Sequence, residues 1–122
     1  GAVVWSAAPI EDDRRAGYKN LLMNILTAFV RPDELSMNAK APRQVELVGF
    51  RTRKNLLVSA VDLLCTDELL PLGGFPVSVR ADFIPQRVRL LPSGKDIPFE
   101  FAAGRVSFTT QPLTMFDMYE IK

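Results

Sequence analysis

Few residues in this chain belong to the types that do covalent chemistry, and their spacing does not serve it. Histidine is absent, which removes Ser-His-Asp and Cys-His nucleophile arrangements and every histidine-based zinc site. Cys65 is the single cysteine, so an intrachain disulfide, a CxxC redox pair and a thiolate metal cage are all excluded. Carboxylates are what is left. Asp62 interrupts the apolar run "AVDLL", and Asp117 sits in "MFDMYE". Either acid would need a raised pKa and a second acid across a cleft to act in catalysis. The competing role is a strand carboxylate bonded to a backbone amide or an arginine, which the rarity of unpaired buried acids favours. Gly73-Gly74, in "LPLGGFP", has no lysine or helix start to hold a phosphate. The reading is therefore no catalytic residue, no metal site and no cofactor.

Binding residues are almost as sparse. Trp5, Tyr18 and Tyr119 could stack on a sugar ring, Trp5 and Tyr119 being the better candidates. Tyrosine and tryptophan serve more often as core or boundary residues with one polar tip, and all three fall at core-facing positions here. The basic run "RTRK" (51–54) lies between two strands with no aromatic interleaved, as a solvated hairpin turn would. A net charge of +1 gives no general attraction to nucleic acid or anionic membrane. No apolar run approaches the ~20 residues that a membrane-spanning helix needs. The start, "GAVVWSAAPIEDD", lacks the basic region of a signal peptide, and the lone cysteine leans towards a reducing, cytoplasmic compartment.

The elements around these residues are legible from periodicity. At 122 residues with 48% hydrophobic and 24% charged positions, the chain has the composition of one folded domain with a real core. "GAVVWSAA" (1–8) reads as a short buried strand. Tyr18, Leu21, Leu22, Ile25, Leu26 and Phe29 then recur at helical spacing. Asp12 and Asp13 stand where carboxylates cap free amides, and Arg31-Pro32 closes the ladder, which predicts a helix at about 12–30. "RPDELSMNAKAP" follows as a polar linker.

Beyond Pro42 the period becomes two, predicting strands at 43–51, 55–64, 75–83, 86–91, 96–101, 105–110 and 115–122. The second, "NLLVSAVDLL", is apolar on both faces, like a central strand covered on both sides. Glycine stands third in two turns, Pro92-Ser93-Gly94 and Ala102-Ala103-Gly104. Three-residue hairpin loops place a left-handed residue there, so Gly94 and Gly104 should have positive φ. These turns make a meander of 86–91, 96–101 and 105–110, with Pro98 facing a bulge or an edge in the middle strand. The predicted fold is mainly β: an antiparallel sandwich of about seven strands (42–122), preceded by one strand, one α-helix and a linker (1–41).

A strand and helix before a sandwich are an odd start for a domain, since they read as half of a βαβ unit. The order of elements resembles the C-terminal part of multidomain glycoside hydrolases of the β-galactosidase (family 42-like) type. "GAVVWSA" with "YKNLLMNIL" is similar to the last strand and helix of their amidotransferase-like trimerisation domain. "APRQVELVGFRTRKNLLVSAVDL" looks like the strand pair that opens their small β domain. "VRLLPSGKDIPFEFAAGRVSFTTQPLTMFDMYEIK" resembles their typical ending. Relatives often carry a histidine and an asparagine in the second strand, where this chain has Ser59 and Asp62.

The resemblance implies a non-catalytic accessory domain whose partner is the catalytic module of the same parent chain, since the catalytic glutamates of such enzymes lie on the barrel. The alternative is a carbohydrate-binding module gripping glycan through exposed aromatics. Residues 1–30, with an uncovered helix face and strand edge, are expected to pair two copies of the chain, the alternative being that helix 12–30 folds back onto the sandwich.

Overall fold

The computed structural model describes residues 16–31, 34–52, 55–64 and 70–122. Contacts divide the chain into two units, residues 1–35 and 36–122. In the first, α1 spans Ala16–Phe29. It carries the predicted apolar stripe, in which Leu21, Leu26 and Phe29 stay about half exposed. The last turn closes with the Val30 N–H donating to the Leu26 carbonyl at 2.8 Å, and Arg31 pairs with Glu34 beyond it. The predicted strand 1–8, the Asp12 and Asp13 caps, Trp5 and Cys65 lie outside the described residues, as does the side chain of Tyr18.

The second unit is the antiparallel sandwich. Nine strands are present among the described residues: β1 (Met37–Ala39), β2 (Val45–Arg51), β3 (Leu56–Asp62), β4 (Pro76–Arg80), β5 (Val88–Leu91), β6 (Lys95–Ile97), β7 (Phe99–Ala102), β8 (Arg105–Thr109) and β9 (Phe116–Ile121). They form a four-stranded sheet in the order β1-β4-β8-β7 and a five-stranded sheet in the order β2-β3-β9-β5-β6. Every strand pair in both sheets runs antiparallel among the described residues. Successive strand residues point to opposite faces, and the inward set is largely apolar, with Asp62 and Asp117 among its polar members. Val58, Ala60, Tyr119, Ile121 and Val88 come from the larger sheet, and Val77, Val79, Val106 and Phe108 from the smaller; all are buried.

Two strands exceed the expected set, for separate reasons. The first is β1, inside the stretch read as a polar linker. Met37 and Ala39 turn inward and pair with Val79 and Val77, a signal too short to register as periodicity. The second comes from 96–101, which is two strands rather than one. Lys95–Ile97 pairs with β5 in the larger sheet, whereas Phe99–Ala102 pairs with β8 in the smaller. Pro98 stands between them. With no N–H to donate it cannot continue a ladder, and here the chain crosses from one sheet to the other, as at the corners of many sandwiches. The expected single meander is thus two hairpins in different sheets.

Both glycine turns have the expected sign of φ, +73° at Gly94 and +72° at Gly104. The second turn differs in type. Ala102 pairs with Arg105, leaving a two-residue loop in which Ala103 also has positive φ, +50°. Positive φ at both central positions is the type I′ hairpin, with alanine in a place that suits glycine or asparagine.

Between β3 and β4 the backbone is locked by a close approach. The Phe75 N–H donates to Thr110 Oγ1 and the Thr110 N–H to the Phe75 carbonyl, each at 3.0 Å. Beside them a Cβ on Gly74 would collide with the Thr110 carbonyl oxygen. The pair Gly73-Gly74 is followed by this backbone contact, not by a phosphate cradle.

Candidate functional site

The acids singled out for chemistry are committed to structure. Asp62 ends β3, and its Oδ1 accepts a hydrogen bond from the Leu64 N–H at 3.0 Å. That closes the turn with a side-chain cap. Asp117 accepts from the Tyr119 hydroxyl at 3.1 Å. The registers place Ala60 opposite Asp117, so the two acids are diagonal neighbours on the inner side of the larger sheet.

Tyr119 is fully buried, at 0% exposure, and this corrects its reading as a sugar platform. Its ring packs on Phe108 with centroids 5.1 Å apart and planes inclined by 44°. Its hydroxyl accepts from the Gln111 N–H at 2.9 Å while donating to Asp117. Both faces of the ring are used by the core, leaving none for a ligand. Burial first, and the negative charge of Asp117 with it, push the phenol above the ordinary tyrosine range. Tyr119 is a core pillar with its polar tip tied to backbone, similar in principle to the tyrosine corner of other sandwiches.

The surfaces are more informative than these residues. Since Val58 and Ala60 point inward, Leu57, Ser59 and Val61 point outward from β3. Register places Phe50 and Val48 beside Leu57 and Ser59 on β2, and Met118 and Phe116 beside Ser59 and Val61 on β9. The outer face of β2-β3-β9 therefore carries an apolar band that includes Leu57 and Val61, with Phe50 and Phe116 51% and 52% exposed at its two ends, interrupted by Glu46 opposite Val61 and Glu120 opposite Leu57. Ser59 is the polar residue at its centre. It is buried, and its hydroxyl donates to the Val48 carbonyl at 3.3 Å, so it presents no free group outward on that side. Glu120 accepts from Asn55 at 2.8 Å, and further along the sheet Arg89 pairs with Asp96 at 3.3 Å.

The outer face of the smaller sheet is the opposite. Register aligns Asn38, Ser78, Ser107 and Glu100 in one row across β1, β4, β8 and β7. Lys40, Pro76, Thr109 and Pro98 flank this row, and together these residues line an open groove of about 560 Å³. Arg105 reaches Ser78 from β8, donating from Nε to Ser78 Oγ at 3.0 Å and from Nη2 to the Ser78 carbonyl at 3.1 Å. Ser107 Oγ donates to Ser78 Oγ at 3.2 Å. The row was not recognisable in the sequence. Asn38 lay in the supposed linker, and only the pairing of four strands brings these residues together.

No protein-family model matches the sequence, and a search of curated proteins finds no match. Among solved structures, the fold is similar to part of the alpha-L-fucosidase isoenzyme 2 from Paenibacillus thiaminolyticus, with a TM-score of 0.75 and 16% sequence identity. The match covers 86% of this chain and 18% of that one. At this identity the likeness is one of fold: the chain shares its mainly β architecture with a minor part of a glycoside hydrolase.

Proposed function

We propose that this chain is a non-catalytic accessory domain of a larger glycoside hydrolase, and that the outer face of β2-β3-β9 docks on another module of the same parent. The observation that carries this reading is the apolar layer formed by Val48, Phe50, Leu57, Val61, Phe116 and Met118. An antiparallel sheet with one solvated face alternates apolar and polar residues; here the outward positions of β2, β3 and β9 are apolar except for Glu46, Ser59 and Glu120, more apolar than a fully solvated face would be. The likeness in fold to 18% of a fucosidase chain supports a domain of a glycoside hydrolase. The finer assignment, to the C-terminal β domain of the family 42-like β-galactosidase type, rests on the sequence resemblance. The commitment of Asp62 and Asp117 to structural hydrogen bonds supports the absence of catalysis from the described residues.

The test is to supply the upstream remainder of the parent chain separately and measure its binding to this fragment. Binding that Phe116→Glu abolishes, with the fragment still folded, is the expected result. A fragment that ignores the upstream module, or hydrolyses an aryl glycoside by itself, would contradict the proposal. Pairing of two copies through residues 1–30 belongs to the same reading. Light scattering on the full chain and on a chain beginning at Ser36, which keeps β1, would separate it from docking through the sandwich.

A further inference from the structure

The geometry points to a binding site for a short neutral glycan on the outer face of the smaller sheet, along the row Asn38, Ser78, Ser107 and Glu100. This goes beyond the docking reading, uses a different surface, and stands or falls separately from it. The site is built, because its central hydroxyl is held in place. Ser78 Oγ receives two donors, Arg105 Nε–H at 3.0 Å and Ser107 Oγ–H at 3.2 Å. A serine hydroxyl has two acceptor lone pairs and one proton, so the Ser78–Ser107 pair, sharing one hydrogen bond, keeps one proton to donate and lone pairs to accept. The row therefore offers an amide, a hydroxyl pair that both donates and accepts, and a carboxylate acceptor from β1 to β7.

Neighbouring strands are ~4.8 Å apart, so the row extends over about 14 Å, the scale of a few linked sugar rings. Vicinal diols offer a donor and an acceptor side by side, which is what alternating groups at this spacing can engage. The rings' C–H faces would rest on Pro76, Pro98 and the Thr109 methyl group, which line the same groove. The one ammonium, Lys40, and the one carboxylate, Glu100, lie on opposite edge strands of the groove and leave its lining without net charge. That matches a neutral polyol better than a phosphate or an acidic peptide. A volume of about 560 Å³ lies within the ~300–1,000 Å³ range usual for ligand sites.

The experiment is an amide NMR titration of the full 122-residue chain with cellotriose and, separately, lactose. The expected result is saturable shifts confined to Asn38, Ser78, Ser107, Glu100 and their strand neighbours, with a dissociation constant on the order of 1 mM, since Phe99 and Phe108, which also line the groove, are packed on the core and add little stacking. Glu100→Gln and Asn38→Ala should each weaken binding ~10-fold through the loss of one charged or bidentate hydrogen bond, with the melting temperature unchanged. Both residues are exposed, so neither change threatens the fold. No shift with either sugar followed by no binding on a broad glycan array would overturn the inference. So would saturable shifts located on the larger sheet, or affinity indifferent to both substitutions.

Discussion

The two sheets share one interior but present opposite exteriors. On the inside each contributes apolar residues at every second position, and Phe108 of one meets Tyr119 of the other. On the outside the smaller sheet shows Asn38, Ser78, Ser107 and Glu100, while β2-β3-β9 of the larger shows Phe50, Leu57, Val61 and Phe116. The same alternation rule generates both exteriors, so folding alone does not require the difference. A face made apolar beyond the needs of its own core carries information about a neighbour. A polar face with a pre-set hydrogen-bond row carries information about a ligand.

If that division is correct, the largest effects should come from the shared interior, whichever sheet is altered. Tyr119→Ala removes a ring at 0% exposure and is expected to cost about 3–5 kcal/mol. Tyr119→Phe keeps the ring but leaves the Gln111 N–H without its acceptor, at about 1–3 kcal/mol. Urea titrations of both variants check these values. The same residue sets an alkaline limit. Its folded pKa is raised above the unfolded value near 10, so the unfolded chain loses this proton first. Tyr119's contribution is complete below about pH 10 and is lost as pH rises above it. Tyr119→Phe should remove that part of the alkaline loss, seen as a shallower decline in stability between pH 10 and 11 than in the unaltered chain.

Much of the interior was legible in the sequence, because alternation is local. Val77, Val79, Val106 and Phe108 could be assigned inward from their own strands, and Gly94 and Gly104 from their own turns. What was not legible depends on partners. Pro98 reads as a break in any sequence, but that it marks a change of sheet follows only from the pairing of 95–97 with β5 and 99–102 with β8. Three residues at 37–39 are too few for a period, and they become a strand because β4 offers an edge. Ala103 gives no hint of its left-handed φ. Tyr119 could be suspected as core, though its hydroxyl network with Gln111 and Asp117 could not. The apolar outer layer was half visible, since "NLLVSAVDLL" is apolar on both faces. Its continuation through Phe50 and Phe116 required the register.

Intermediate effects should fall where backbone packs on backbone. Gly74→Ala drives a Cβ into the Thr110 carbonyl and should cost about 1–3 kcal/mol as the segment shifts, measured as a lowered urea midpoint. Smaller again is the hairpin between β7 and β8, within the polar-faced sheet. Ala103→Gly relieves an alanine at φ +50° and should stabilise by roughly 1 kcal/mol, whereas Gly104→Ala should destabilise by about as much. Equal melting temperatures for these two variants would refute the type I′ assignment. The smallest effect belongs to the surface bridge between Arg51 and Asp82, 2.7 Å long with both side chains more than half exposed. A double-mutant cycle there should give less than about 1 kcal/mol, declining with salt.

The contrast between the two exteriors is tested most directly at adjacent residues of one strand, by measuring stability and association together. Val58 and Leu57 are neighbours on β3 that point to opposite faces. Val58→Glu, which buries a charge in the interior, should prevent folding. Leu57→Glu, at a partly buried position opposite Glu120, should lower the thermal midpoint of the isolated chain only modestly while abolishing its binding to the upstream module of the parent. A Leu57→Glu chain that unfolds like Val58→Glu, or that folds and still binds undiminished, would contradict the assignment of this face to docking.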